Sequence, residues 1–232
     1  MKFFFGLLIG LLAAVGIAAA AAYYAFGDLK NIPFDKDRDR TKDISRTYEL
    51  AGFDRIELGG VFELDVTVGG DFSVEVSGSP DEMDRVEARV ADGELVLDLR
   101  DEKRHRWGKD QSITARITMP ALAAIDVSGV VDGDVRGVDS EIFTVSISGV
   151  GDMDLSGVCG ALTADVSGVG DLDAKDLKCR TADITVSGVG DADVYASESA
   201  KATISGIGDI DIYGSPANVE KNAGMFSDIS VH

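Results

Sequence analysis

The sequence predicts an all-β fold: a right-handed parallel β-helix with coils of about 19 residues, preceded by one N-terminal hydrophobic helix. Three observations carry this. The phrase Ser-Gly-Val-Gly-Asp, or a close variant, begins at Ser128, Ser148, Ser167, Ser187 and Ser205, at spacings of 20, 19, 20 and 18 residues. A fixed period in that range marks a solenoid whose units bury their apolar faces only against neighbours. Around each phrase, apolar and polar residues alternate with the period of strands. Finally, 27 glycines and 4 prolines in 232 residues, with no helical heptads, describe a folded, turn-rich chain.

Lys2 is followed by an uncharged run from Phe3 to Phe26, which at about 1.5 Å per residue spans a bilayer core of roughly 30 Å. Tyr23, Tyr24 and Phe26 fall where an interfacial aromatic belt sits. The alanines from Ala18 to Ala22 equally offer A-x-A cleavage sites. Residues 1–27 therefore read as a signal peptide or a transmembrane anchor, which makes the membrane a partner and the remainder an exported protein. Residues 28–46, centred on Asp35-Lys-Asp-Arg-Asp-Arg, read as a charged, solvated linker, and residues 47–232 as the β-helix domain.

From Tyr48 the alternation places strands at Arg55-Ile-Glu-Leu, Val61–Val68, Phe72–Val76, Val86–Val90, Glu94–Leu99 and Ser112–Met119. Pro80-Asp-Glu-Met-Asp-Arg reads as a helical turn and Ala91-Asp-Gly as a tight hairpin turn. At the repeat period the domain has sequence for about nine coils, with a first half that is partly antiparallel. Asp101–Asp110 reads as a polar loop. Its cluster of Arg104, His105, Arg106 and Trp107 has neither nucleophile nor second histidine nearby, so it supports no catalytic geometry.

Aligned on Ser, each unit reads as one strand before the phrase and one after it. Val127, Ile147, Val166, Val186 and Ile204 point inward, with Ile125, Val145, Ala164, Ile184 and Ala202 two residues earlier. The glycines bend the chain, and Val131, standing where the other units have Gly, is expected to distort the first bend. Met153 and Leu155, Leu172 and Ala174, Ala192 and Val194, and Ile210 and Ile212 then face inward again. A third segment closes the coil and contributes Val138, Val158 and Leu177, while the valines of the phrase supply stacked core. A β-sandwich is the competing architecture, and it leaves five evenly spaced bends unexplained.

Two aspartates per unit point outward from the second strand. Row one is Asp132, Asp152, Asp171, Asp191 and Asp209; row two is Asp134, Asp154, Asp173, Asp193 and Asp211. Stacked about 5 Å apart, such like charges repel. Splaying into water, raised pKa values, hydrogen bonds to glycine N–H groups or bound calcium would each offset this. The period of 19 differs from that of the calcium-binding nonapeptide, so the metal alternative is a structural calcium module with these ten carboxylates as ligands. Paired carboxylates also suit acid–base work on polysaccharides, but no coil carries a distinguishing residue and basic side chains are missing beside the strip. No other cofactor is implied. The formal charge of −19 excludes non-specific nucleic-acid binding.

Cys159 and Cys179 each lie eight residues before a repeat serine, hence in one column of adjacent coils. A disulfide and a pair of reduced thiols are both open at this point; an oxidising compartment favours the bridge.

Four features in order resemble the family of the putative auto-transporter adhesin head GIN domain. They are Gly52-Phe-Asp-Arg-Ile-Glu-Leu, Ile117-Thr-Met-Pro-Ala-Leu-Ala-Ala-Ile, the Ser-Gly-Val-Gly-Asp repeats, and Tyr213-Gly-Ser-Pro-Ala-Asn-Val. The resemblance covers roughly Tyr48 to His232. It implies a right-handed parallel β-helix outside a bacterial membrane, and no reaction. The expected function is therefore non-enzymatic surface binding or adhesion at the bacterial cell envelope, with the ligand and oligomeric state unspecified by the sequence.

Overall fold

Alternation in the first half of the domain becomes alternating burial in the structure, a computed structural model that describes residues 43–100 and 113–232. The expected N-terminal helix, most of the linker and the His105–Trp107 cluster lie outside the described residues. The elements in order are β1 (Ile44–Tyr48), β2 (Arg55–Leu58), β3 (Val61–Val68), β4 (Ser73–Gly78), α1 (Pro80–Met83), β5 (Val86–Ala91), β6 (Glu94–Leu99) and β7 (Ile113–Met119). The single turn α1 is set by a capping box. Ser79 Oγ accepts the Glu82 N–H, and the Glu82 carboxylate accepts the Ser79 N–H at 2.8 Å. Asp92 and Gly93 both take positive φ, 51° and 79°, as a two-residue type I′ hairpin between β5 and β6 requires.

The repeats form β8 (Ala124–Val127), β9 (Val130–Ile147), β10 (Val150–Val166), β11 (Leu172–Val186), β12 (Ala192–Ile204), β13 (Gly208–Tyr213), β14 (Asn218–Ala223) and β15 (Ser227–Val231). Strands β9 to β12 each run around a coil and stack in parallel on two sides. The residues preceding each Ser stack in the order β6, β2, β8, β9, β10, β11, β12, β14. The residues following it stack as β7, β3, β9, β10, β11, β12, β13, β15. Strand pairing thus builds the parallel β-helix.

The solenoid has about five turns rather than nine. The difference lies in the first half. After laying down β2 and β3 the chain departs to form β4, α1 and β5. It returns as β6 and β7 on one side of that pair, then crosses to β8 on the other side. Strands β4 and β1 extend antiparallel beyond β7, and β5 beyond β6, so the N-terminal end is closed. Strand β1 starts at Ile44, inside the segment read as linker. Four of its five residues are exposed at a sheet edge, which leaves no apolar alternation to read.

The inward ladders around each Ser are buried as read, from Ile125 and Val127 to Ile210 and Ile212. Three expectations fail. Val158 is 50% exposed, and Gly157 instead aligns with the buried Val138 and Leu177. The cause is a register shift just before Gly157, whose φ of +137° carries the coil so close that a Cβ would sit 2.2 Å from the Val138 carbonyl oxygen. The phrase's own Val169, Val189 and Ile207 are also exposed, Ile207 to 56%, because they occupy the outside of the corner between the glycines. Nor does Val131 distort its bend. Strands β9 and β10 pair in register from Val130 and Val150, and the Val131 side chain fills the space above Gly151.

Candidate functional site

All ten aspartates lie on the outside of the second stack, and pairing extends both rows beyond the repeats. Glu63 and Asp228 continue row one, and Asp65 continues row two. Sequence reading missed these three because no Ser-Gly phrase precedes Glu63 and Asp65, and Gly-Met-Phe-Ser replaces it before Asp228.

Row one bonds coil to coil. Asp152 Oδ1 accepts the Asp171 N–H at 3.1 Å, Asp171 Oδ1 the Asp191 N–H at 2.9 Å, Asp191 Oδ1 the Asp209 N–H at 2.8 Å and Asp209 Oδ1 the Asp228 N–H at 3.0 Å. The acceptors therefore serve the next aspartate's own amide, not the glycine amides that the sequence suggested. At the bend a side-chain carboxylate, rather than a backbone carbonyl, accepts this amide. An ionised acceptor makes a stronger bond than a neutral one. Replacing Asp191 by Ala is expected to lower stability by about 1 kcal/mol, whereas Asn, which keeps a side-chain carbonyl, loses less. Urea denaturation of the two variants checks this: equal losses would assign the effect to charge rather than to the hydrogen bond.

Row two is compensated differently. Arg136 donates to Asp134 at 2.6 Å and to Asp65 at 3.2 Å, Lys175 pairs with Asp173, and His232 Nε2 lies 2.9 Å from Asp211 Oδ1. Basic residues thus do stand beside the strip, two positions after Asp134 and Asp173, where strand alternation points them outward too. The carboxylates raise the pKa of Arg136 and of Lys175 through the bonds to Asp134 and Asp173 respectively. Asp65, Asp134 and Asp173 thus have a basic partner, and Asp211 a histidine.

Asp154 and Asp193 fall between. Partial desolvation first, then Asp173 with Asp134 or Asp211, pushes both carboxyls above the ordinary Asp value. The raised value belongs to the folded state, so their stabilising contribution is full below the ordinary Asp range and is lost as pH rises through the folded-state pKa. In the ionised form both oppose folding. Asp193→Asn is therefore expected to raise the Tm by about 1–2 °C at pH 7, an advantage that disappears below about pH 4 and shrinks in high salt. A pH series of thermal melts tests it; an advantage that persists in acid would contradict this origin.

Two open concavities run along the strip. One, of about 240 Å³, is lined by Asp134, Arg136, Asp154, Ser156, Asp173 and Lys175. The other, of about 340 Å³, is lined almost wholly by row-one and row-two aspartates. Among the described residues no group of three or more His, Cys, Asp or Glu side chains is arranged to hold a metal ion. The aromatic rings at the strip's end are already covered: Lys178 Nζ lies 4.4 Å from the Tyr195 ring centroid, and Tyr213 stacks on His232 at 5.0 Å.

The third side of the coils differs from one coil to the next. Here Cys159 and Cys179 are register partners joined by a disulfide, with Cα atoms 4.4 Å apart. An ion pair of 3.0 Å between Arg180 and Glu141 passes over Gly160. Ile142 is 64% exposed, and the exposed Val158 lines a concavity of about 420 Å³ with Asp139, Ser140, Glu141, Gly160 and Arg180. No helix among the described residues is long and apolar enough to cross a membrane.

Residues 52–216 match the family described as "Putative auto-transporter adhesin, head GIN domain". No curated protein matches the chain. Among solved structures, a "putative adhesin" from Bacteroides fragilis NCTC 9343 aligns with a TM-score of 0.68 at 23% identity, over 83% of this chain and 98% of that one. At that identity the likeness is one of fold. A "putative lipid binding protein" from Parabacteroides distasonis ATCC 8503 aligns with a TM-score of 0.49 at 16% identity, over 83% of this chain and 97% of that one.

Proposed function

Since the chain belongs to the family of the auto-transporter adhesin head GIN domain, we propose that its β-helix is a non-enzymatic binding module at the bacterial cell envelope. In this reading the third side of the coils engages an envelope or surface ligand. The observation that carries the reading is the division of labour among the sides. The aspartate strip repeats, and row one is already engaged in coil-to-coil bonding. A specific partner is recognised by features that do not repeat, and these lie on the third side. There two aliphatic side chains, Ile142 and Val158, are exposed, and Val158 borders a polar concavity together with the Arg180–Glu141 pair. An apolar centre with a polar rim is the usual anatomy of a binding patch.

Against acid–base chemistry on the strip stands the engagement of its carboxylates. Asp134 and Asp173 are held in ion pairs, and row one in backbone hydrogen bonds. The test is titration of the labelled protein onto isolated bacterial envelopes and onto cell-surface glycans. Saturable binding is expected, weakened at least tenfold by Ile142→Asp with Val158→Asp and unchanged by Asp193→Asn. Absence of saturable binding, or an equal loss from Asp193→Asn, would sink the reading.

A further inference from the structure

We propose that the corner of the β-helix is a docking ridge for a basic, amphipathic α-helix of a partner protein. Val150, Val169, Val189 and Ile207 stand in one column, joined coil to coil by single parallel bridges. Val169, Val189 and Ile207 are 41%, 47% and 56% exposed, and each of the four coils is flanked by a coil on either side. Single exposed aliphatic residues are ordinary on a protein surface, but a contiguous column of them is not. Nor does the fold ask for one. A β-branched residue suits extended backbone, and threonine supplies the branch together with a hydroxyl. The chain uses threonine in this way on the outer face of the first stack, at Thr144, Thr163, Thr185 and Thr203. At the corner it keeps aliphatic side chains instead.

The two flanks of the ridge differ. Glycine borders it on both sides, so the aliphatic column stands above its surroundings. Beyond the glycines lie the exposed, neutral serines of the phrase on one flank and the row-one aspartates on the other. Asp152, Asp171 and Asp191 each use Oδ1 for coil-to-coil bonding, which leaves the second oxygen for a partner. Among the described residues these three carry no ion pair, whereas Asp134 and Asp173 of row two do. An uncompensated acidic column thus runs along one side of an apolar ridge. Its complement is an apolar stripe with lysine or arginine on one flank only. Spacing selects a helix to carry that stripe. Coils repeat about every 4.8 Å, and a helix advances about 5.4 Å per turn, so its residues at i, i+3, i+4 and i+7 straddle the ridge coil after coil. Same-face residues of an extended strand lie about 6.8 Å apart and fall out of step. A helix is itself periodic, which is why a repeating surface can recognise it; the third side and its ligand play no part.

The probe is a fluorescent peptide of about five helical turns, with leucine along one stripe, lysine on one flank of it and glutamine elsewhere. A second peptide has the same composition in scrambled order. Each is titrated by anisotropy onto the full chain in non-ionic detergent, with uptake by detergent alone subtracted. The striped peptide is expected to bind saturably and at least tenfold more tightly than the scrambled one. It gains helical circular dichroism on binding and slows hydrogen exchange in residues 148–152, 167–171, 187–191 and 205–209 alone. Val169→Ser with Val189→Ser weakens it at least tenfold. Asp171→Asn with Asp191→Asn, which keeps the ladder oxygens, weakens it severalfold and flattens its salt dependence. Ile142→Ser with Val158→Ser, on the third side, leaves it unchanged. The proposal is overturned if the striped peptide does not bind, if the serine variant of the ridge binds like wild type, or if protection falls elsewhere. Equal binding of both peptides overturns it too, being the attraction of a net charge of −19 alone. So does binding of phosphatidylcholine vesicles by wild type and not by the ridge variant, since the ridge then meets lipid. Should Val169→Ser with Val189→Ser lose its β-sheet circular dichroism, threonine at both positions takes its place under the same expectations.

Discussion

Replacing Gly168 with alanine is expected to destabilise the β-helix by about 3 kcal/mol or more, a fall of roughly 10 °C in Tm. The effect comes from where a methyl group would go. Gly168 stacks over Gly149, and a Cβ on it would lie 1.9 Å from the Gly149 carbonyl oxygen. No side chain can swing aside, because the obstacle is backbone. It is also in use: the same oxygen accepts the Val169 N–H at 3.0 Å, and Gly168 N–H donates to Ile147 at 3.1 Å. Relief of the clash requires the coils to separate at the corner, which breaks these bonds. Gly129, Gly149, Gly188 and Gly206 meet the same obstacle at 1.8 to 2.0 Å, so the cost is a property of the column and not of one position. Gly224, one coil further on but in the column of the repeat serines, is the control. Its nearest obstacles are 3.5 Å away, and Gly224→Ala is expected to change stability by less than about 0.5 kcal/mol. Thermal melts of both variants decide the matter: a mild loss at Gly168 would mean that the corner can open without penalty.

This column also explains how much the sequence reveals. Where one residue type recurs at one offset, its neighbours above and below are itself, and the packing follows from a single unit. The inward ladders from Val127 to Ile212 and the outward aspartates were legible for that reason. Positions outside strict repetition were not. Grouping with Val138 and Leu177 puts Val158 inside, but a register shift before Gly157 turns it out. A shift of one residue reverses every side chain after it, and nothing in the local composition marks it. The valines of the phrase look like core to a scale of hydrophobicity; only the sharpness of the corner shows that Val169 and Val189 face outward. The first half misled about coil number because local alternation fixes each strand but not its neighbour. That β2 and β3 lie between β6 with β7 and β8 with β9 is a long-range fact. Among site residues, Arg136 and Lys175 were within reach of the alternation rule, whereas the bonding of Asp152 to the Asp171 amide required coordinates.

Replacing both Cys159 and Cys179 with alanine is expected to lower stability by about 3 kcal/mol, the closure entropy of a loop of 20 residues in the unfolded chain. The bridge is placed where strand pairing is weakest. Register shifts interrupt the pairing of β10 with β11 between Asp154 and Ser156, and that of β11 with β12 around Cys179. On this side no glycine column or aspartate ladder joins the coils, so the covalent bond is the connection that does not depend on regular pairing. Two measurements follow. The urea midpoint falls with little change in slope if the folded state is unaltered. Hydrogen exchange in residues 156–161 and 176–181 accelerates more than in the first stack, because the third side opens locally before the coils part. Cys179 is almost fully buried and Cys159 nearly so, so mild reductant is expected to leave the folded protein intact and to act once denaturant exposes the bridge. A double alanine variant as stable as wild type would show that pairing and core packing already hold the third side, and that the bridge constrains nothing the coils do not.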